Sequence, residues 1–419
     1  MASSAMYTAV SGLNALETQL SVISNNLTNQ NTYGFKESRT LFGDVLTQSL
    51  EGQQAGGGVA VMGVTPSFAQ GTLDTTGNTL DMAIDGNGFF TLSGTGGQYY
   101  TRNGQFTTDK DGNIVDQKGN YLQGYQVDAN GNISDTLGNL NLTTSQVPAK
   151  LTANVSMDVN LNAGGAIQGS AFSITNNVPS NYNYSTSVNV YDSQGGSHPV
   201  TAYFCKTAAN SWDVYYAHTD SSGNLVEDNP VVNGVAVPTV LTFDDTGALS
   251  NATGTSIGFD FGAGVTSPQT IAFNYGATGS ASTQYNADFA VLSATEDGYS
   301  TGTLSKYTID KTGVINATFT NGQNKVAGQI ALTKFPAPDS LDTVDGNLFQ
   351  QTDASGLAVI GKPGTAGLGN VLSGSLEESN VSQSDQFVKM IAAQSAYEAD
   401  SKMVTTEEQL LQTLVNMKQ

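Results

Sequence analysis

Apolar residues recur every seventh position at both ends of this 419-residue chain, a spacing that suits a helix packed along another helix. Near the start, Met6, Leu13, Leu20 and Leu27 form one column, and Ala9, Leu16 and Ile23 follow three places after its first three members. Near the end, Met390, Tyr397, Val404 and Leu411 form another, flanked by Ala396, Met403, Leu410 and Met417, with Leu414 and Val415 widening the stripe. The spacing predicts an amphipathic helix at each end, the second running to the terminus. Chain entropy nearly balances what such a seam buries, so the ends are expected to order fully only when several copies surround them.

Between the ends the period changes to two. "SVNVYD", "PVTAYFC", "WDVYYA", "TVLTF" and "GQIALTKF" alternate apolar with polar residues, as half-buried antiparallel strands do. Their separators share the pattern D-x-x-G, beginning at Asp74, Asp85, Asp109, Asp116, Asp128, Asp135, Asp192, Asp220, Asp244, Asp310 and Asp353. Asp at the first and Gly at the fourth place suit a type I turn closed by a left-handed glycine. Calcium is the competing reading. "DKDGNIVD" puts Gly112 at the fourth place where an EF-hand loop needs its glycine at the sixth, and the spacing lacks a nonapeptide repeat, so turns are preferred.

Composition narrows the function. Only 12% of residues are charged and Gly numbers 47, so the surface is largely uncharged and polar, which suits a β-rich chain with many turns. A net charge of −21 argues against nucleic acid and anionic membrane surfaces. Residues 1–35 hold one acid and no base, and residues 381–419 five acids against three bases, so −18 of the −21 lies between them. The ends repel copies of themselves least. The start has neither a basic region nor a continuous apolar core, so it does not read as a cleaved export signal, and no run of about 18 apolar residues predicts a membrane span.

No constellation points to catalysis. His198, in a "GGSHPV" turn, and His218 read as ordinary surface or strand residues, and the single cysteine, Cys205, as a small buried hydrophobe that excludes an intramolecular disulfide. The glycines of "QQAGGGVAV" lack the Lys-Ser/Thr of a phosphate loop and read as a flexible connector. Carboxylates are plentiful enough for a glycosidase pair, but Trp212 is the only tryptophan, which is sparse for a sugar cleft. No catalytic residue, cofactor or metal is assigned. An extracellular β-rich adhesin would explain the Gly, Asn and Thr content, though not the two heptad columns.

One stretch stands apart: "NNLTNQNTYGFKESR", residues 25–39, directly after the first helical run. Asn25, Asn26, Asn29 and Asn31 can satisfy the last carbonyls of a helix or take left-handed backbone, Gly34 allows a reversal, and Phe35 is a candidate anchor. This stretch resembles the N-terminal signature of the axial proteins of the bacterial flagellum, the rod, hook and hook-junction subunits. "GTLDTTGNTLDMAIDGNGFFTL" and "YTRNGQFTTDKDGNIVDQKGNYLQGY" are similar to the family's shared core domain, and "LEESNVSQSDQFVKMIAAQSAYEADSKMVTTEEQLLQTLVNM" to its C-terminal helix. A distal rod-type member is the alternative within the family. The long segment between "NLTTSQVPAK" and "TQYNADFAVLSATEDGYSTGTL" instead resembles the inserted domain of the hook branch.

The resemblance implies an α+β fold. The terminal α-helices, 1–32 and 381–419, pair as a coiled coil, 33–70 with 360–380 connect, and 71–145 with 285–359 form a core β domain. Residues 146–284 form an inserted outer β domain, both β domains being mainly antiparallel and nested so that N- and C-terminal segments share domains. It also implies a helical homopolymer, a curved tube acting as a universal joint that carries torque from rod to filament. Assembly would run through Met6, Leu13, Leu16, Leu20, Ile23, Leu27, Met390, Tyr397, Val404, Leu411 and Leu414. Implied partners are the flagellar distal rod protein, the hook cap protein, the hook-filament junction proteins and the flagellar type III export apparatus. The implied location is extracellular, reached without a cleaved signal peptide.

Overall fold

A computed structural model describes residues 2–46, 56–128, 131–142, 146–220, 222–232, 235–276 and 282–417. Two helices bracket a chain of strands: α1 spans Ala2–Thr28 and α2 spans Gln383–Met417. The chain divides into two compact units. The first comprises residues 1–144, 306–318 and 324–419, and the second 145–305 and 319–323. The proposed boundary at 284/285 therefore falls inside the second unit, because Ala290–Glu296 pairs antiparallel with Asn154–Asn160 and completes a four-stranded sheet there.

In the first unit α1 packs against α2 and against a hairpin of β1 (Ser38–Leu46) and β2 (Gly56–Pro66). The three glycines read as a flexible connector, Gly56 to Gly58, instead lie in β2. Gly58 has φ +99° and faces Ser11 and the backbone of Thr8 on α1, a close approach that leaves no room for a Cβ, and Ser11 Oγ accepts from the Val59 amide at 3.2 Å. Residues 53–55 of that stretch lie outside the described residues. The β core of this unit is shared between early and late chain. Leu73–Thr75 pairs with Ser375–Glu377, Met82–Asp85 with Asn370–Ser373, and Phe89–Gly94 with Leu332–Lys334. Met82, Ile84, Phe90 and Leu122 are buried among Ile315, Ile330, Leu332 and Val371.

The second unit stacks two sheets on one core. One runs through Tyr184–Tyr191, Ser197–Ala208, Ser211–Thr219, Thr239–Phe243 and Leu249–Thr253, and the other contains Ser256–Phe259, Gln269–Asn274, Asn154–Asn160 and Ala290–Glu296. The alternation read in "PVTAYFC" and "WDVYYA" buries Val200, Ala202 and Phe204 with Trp212, Val214 and Tyr216. Trp212 donates to Gln284 Oε1 at 2.7 Å, and the Tyr216 and Tyr275 hydroxyls lie 2.8 Å apart, so the buried polar tips are paired. Cys205 is buried, and burial pushes its thiol up to about 12, so it behaves as the small hydrophobe expected.

Turn chemistry follows the D-x-x-G pattern at most positions. At Asp109, Asp116, Asp128, Asp192, Asp220, Asp244 and Asp310 the glycine amide three residues on donates to the aspartate carbonyl, and each glycine has positive φ. The carboxylate adds a second layer. Asp244 Oδ1 accepts from the amides of Thr246 at 2.8 Å and Ala248 at 3.0 Å, and Asp220 Oδ1 likewise from Ser222 and Asn224. Four positions depart: Asp74, whose Gly77 amide donates to Gly374 O instead, Asp85 and Asp353, which lack the bond, and Asp135, which lies with Gly138 inside the strand Ile133–Asn139.

These bonds hold the carboxyls below their ordinary value of 3.8, through the Thr246 hydroxyl and backbone amides at Asp244 and the Asn224 and Ser222 amides at Asp220. A depressed folded-state value gives stability that is complete above the unfolded value and lost as pH falls through the folded one. The urea midpoint of the second unit, followed by Trp212 fluorescence, is expected to drop as pH is lowered through about 4. Asp220→Ala with Asp244→Ala should lower the midpoint at neutral pH and flatten the acid dependence; an unchanged acid slope would refute the assignment.

Candidate functional site

The stretch after α1 forms a junction at which the chain's two ends and its β core meet. Asn29 caps the helix C-terminus: its Nδ2 donates to Asn25 O at 3.0 Å and to Asn25 Oδ1 at 2.8 Å, and its Oδ1 accepts from Thr32 Oγ1. Gly34 then turns the chain with φ +71°, its amide donating to Glu377 O at 2.7 Å. A Cβ there would lie 2.6 Å from Asn103 Cα, so only glycine fits. Asn31 is exposed, and Phe35 is half-buried, lining with Asn25, Asn29, Asn103 and Phe349 a cavity of about 460 Å³.

Asn26 is fully inside. Its Oδ1 accepts from the Ser38 amide at 2.9 Å, and its Nδ2 donates to Ser38 O at 2.8 Å and Gln386 Oε1 at 3.3 Å. One side chain thus fastens α1 to the start of β1 and to the first turn of α2. Glu37 completes the link by accepting from Gln386 Nε2 at 2.8 Å and Lys389 Nζ at 2.7 Å, and its amide donates to Asn380 Oδ1.

Beneath this layer lies a buried ion cluster. Glu377 receives Lys36 Nζ at 2.6 Å on Oε1 and an Arg102 guanidinium nitrogen at 3.2 Å on Oε2, all three side chains being shielded from water. The Gly71 amide donates to Oε1 at 2.9 Å, Lys36 Nζ also reaches Ala69 O, and Arg102 reaches Gly86 O and lies 5.5 Å from the Phe89 ring centre. Burial lowers the Lys36 ammonium from its ordinary value, opposed by the Glu377 charge. Lys36, Arg102 and Glu377 stand inside the motifs "GFK", "TRNG" and "LEES", but nothing in the sequence pairs them. The clue available is a charge beside apolar residues in each motif.

The helices meet with opposite directions, since Gln386 of α2 reaches Asn26 late in α1, and Asp400 lies against Gly12 early in α1. On α1, Ala9, Ala15 and Ile23 are buried, Leu13, Leu16, Leu20 and Leu27 are half-covered, and Met6 is exposed. On α2, Gln386 and Ala393 are buried, Met390, Asp400, Val404 and Glu407 are half-covered, and Tyr397 and Leu411 are exposed by more than a third. The flanking column expected from Ala396, Met403, Leu410 and Met417 faces away from α1 and is exposed. Each of these residues precedes the Tyr397 column by one place, about 100° around the helix, and a single helix partner covers only a narrow seam. The side chains of Leu414 and Val415 lie outside the described residues.

Both histidines lie on strands, as read from the sequence, with His218 buried rather than at the surface. His218 is buried on its strand and bonded to Asp228, and His198 stacks on Phe261 at 4.3 Å with Nε2 2.8 Å from Asp192 Oδ2. Neither joins the junction. Among the described residues no group of three or more His, Cys, Asp or Glu side chains is placed to hold a metal ion.

If the ion cluster fixes this junction, Glu377→Gln should cost about 3–5 kcal/mol, because two cations stay buried against a neutral amide. Urea denaturation of the first unit followed by circular dichroism measures it, and a loss below about 1 kcal/mol would refute the role.

Family profiles match along the chain: "Flagella basal body rod protein" at residues 6–36, "Flagellar hook protein FlgE/F/G D1 domain" at 83–169, "Flagellar basal body protein FlaE D2 domain" at 160–299 and "Flagellar basal body rod FlgEFG protein C-terminal" at 372–417. The flagellar hook protein FlgE of Escherichia coli K12 is 36% identical, over 98% of this chain and 99% of its own. Those of Brucella abortus and Borreliella burgdorferi are 33% and 30% identical, each over 99% of this chain and 98% and 99% of their own. The crystal structure of Helicobacter pylori flagellar hook protein FlgE2 superposes with a TM-score of 0.53 at 15% identity, covering 71% of this chain and 98% of that one, a likeness of fold. With its ends, its β core and its inserted unit all matched in order, the chain belongs to the flagellar hook protein family, whose members are structural parts of the flagellum rather than enzymes.

Proposed function

We propose that copies of this chain polymerise through their terminal helices into a helical tube that forms the curved joint between rod and filament. One observation carries the reading: α2 bears two apolar columns, and α1 lies along one, half-covering Met390 and Val404, while the other is open. Met403, Leu410 and Met417 repeat at seven on the uncovered face, and Phe387, Val388 and Ile391 are exposed near its start. An apolar column at heptad spacing left open to water marks a protein partner. In this reading α1 and α2 pair as a coiled coil through the Leu13, Leu20, Met390 and Val404 columns, and the open column receives a helix of the next copy. Such an interface joins unlike surfaces and does not close, which yields a filament.

The insertion is the outer domain in this reading. Its low-charge surface, rich in Gly, Asn and Thr, offers many contacts of nearly equal energy, which suits subunits that slide as the tube bends. The proposed neighbours are the distal rod protein below, a cap protein at the growing tip and the junction proteins above. Export follows through the flagellar type III apparatus, without signal cleavage, to an extracellular site. No described helix is long and apolar enough to cross a membrane, which is compatible with that route.

Leu13→Asp combined with Leu20→Asp is expected to abolish tubes in electron micrographs of concentrated protein while circular dichroism still reports folded β units. Tubes from the double variant would refute the seam. Replacing residues 146–305 with a short Gly-Ser linker should leave polymerisation intact and change curvature. A deletion protein that stays monomeric under all conditions would contradict the assignment of layers.

A further inference from the structure

His218 sits where the two sheets of the second unit meet, and both its ring nitrogens are engaged. Nδ1 bonds Asp228 Oδ2, at the end of the neighbouring strand Leu225–Asp228, and Nε2 lies 3.0 Å from the backbone carbonyl of Asp260, just beyond Ser256–Phe259 in the opposite sheet. A carboxylate and a carbonyl only accept hydrogen bonds, so each ring nitrogen has to donate. A neutral imidazole carries one N–H and can satisfy one partner; satisfying both takes the imidazolium. The side chain is 1% exposed, so water cannot replace a lost partner.

We propose that His218 is a pH-sensitive bolt between the two sheets of the second unit, closed while both ring nitrogens carry protons and opened when one proton is lost on the alkaline side. Its surroundings favour the charge. Asp228 faces it directly, Asp220 lies in the turn after its own strand, and Asp260 supplies the carbonyl while its carboxylate accepts from Gly262 and Ser267. The Phe259 and Phe261 rings meet the imidazole edge-on, at 6.0 Å and 5.2 Å, and beyond Phe261 stands His198 with Asp192. Burial opposes the charge, but the Asp228 bond, its Coulomb attraction and the Asp260 carbonyl outweigh it and raise His218 above its ordinary 6.5. A raised folded-state value means stability that is complete below the unfolded value and lost as pH rises through the folded one. Other buried groups of this unit stay out of that window, since burial pushes Cys205 and Tyr215 up to about 12.

The test uses the full chain with 15N-labelled histidine. At neutral pH both His218 ring nitrogens are expected to show the protonated shift and to titrate above free imidazole; a singly protonated ring at neutral pH overturns the proposal. Urea midpoints read by Trp212 fluorescence at about pH 6 and about pH 9 should fall across the interval. Asp228→Asn removes the countercharge and should move the fall to lower pH, whereas His198→Gln should leave it in place. A midpoint that does not fall, a fall unmoved by Asp228→Asn, or one abolished by His198→Gln overturns the assignment. Should Asp228→Asn fail to fold, the ring-nitrogen titration of the unaltered chain decides.

Discussion

Three charged side chains from three distant parts of the chain share one dry pocket, and the first unit is organised around them. Lys36 follows the signature turn, Arg102 belongs to the β core, and Glu377 precedes α2. Removing such charges from water costs several kcal/mol each, and attraction offsets this only where every lone pair and proton is placed. Here Gly71, Ala69 and Gly86 of the backbone take part of the remaining capacity, while the buried Arg102 Nε is left without a hydrogen-bond partner. A displacement of any one segment would strand a charge. The cluster therefore acts less as a source of net stability than as a fixed register between the ends and the β core.

That register explains why the turn is so specific. Asn26 repeats the principle with neutral groups, binding Ser38 through both halves of its amide while reaching Gln386. Gly34 carries the chain past Asn103 at a distance no side chain permits. An amphipathic α1 needs none of this to be a helix, but it needs all of it to leave the β core at one angle. Torque passed between helices and β core would run through these bonds.

What was legible in the sequence is what local chemistry decides. Heptad columns mark α1 and α2, alternation marks the strands of the second unit, and D-x-x-G marks turns, because each depends on a few consecutive residues. What failed depends on partners far along the chain. Met403 and Leu410 read as a column flanking the seam, and the sequence does not say how wide a partner α1 is and so whether that column is covered. Gly56–Gly58 read as a connector because the helix surface that demands glycine lies some 48 residues earlier, as the Ser11–Val59 bond records. His218 looked ordinary because Asp228 and Asp260 reach it through strand pairing and sheet packing. The nesting of the β core came from family resemblance and could not be read from any single window.

Charge placement connects these features to assembly. Several carboxylates of the middle segment sit in turns where backbone amides surround them, as at Asp109, Asp192 and Asp310. Yet that segment still carries most of the net −21, while the two ends hold only three of those charges. In the proposed assembly, copies meeting through α1 and α2 would bring together surfaces of small net charge and exposed apolar side chains, and mutual repulsion would fall on the β units. Repulsion that is weak at the helices and stronger at the β surfaces favours end-to-end helical contact over lateral clumping of β sheets. Screening by salt would relax the second effect more than the first, because burial at a helix seam does not depend on ionic strength.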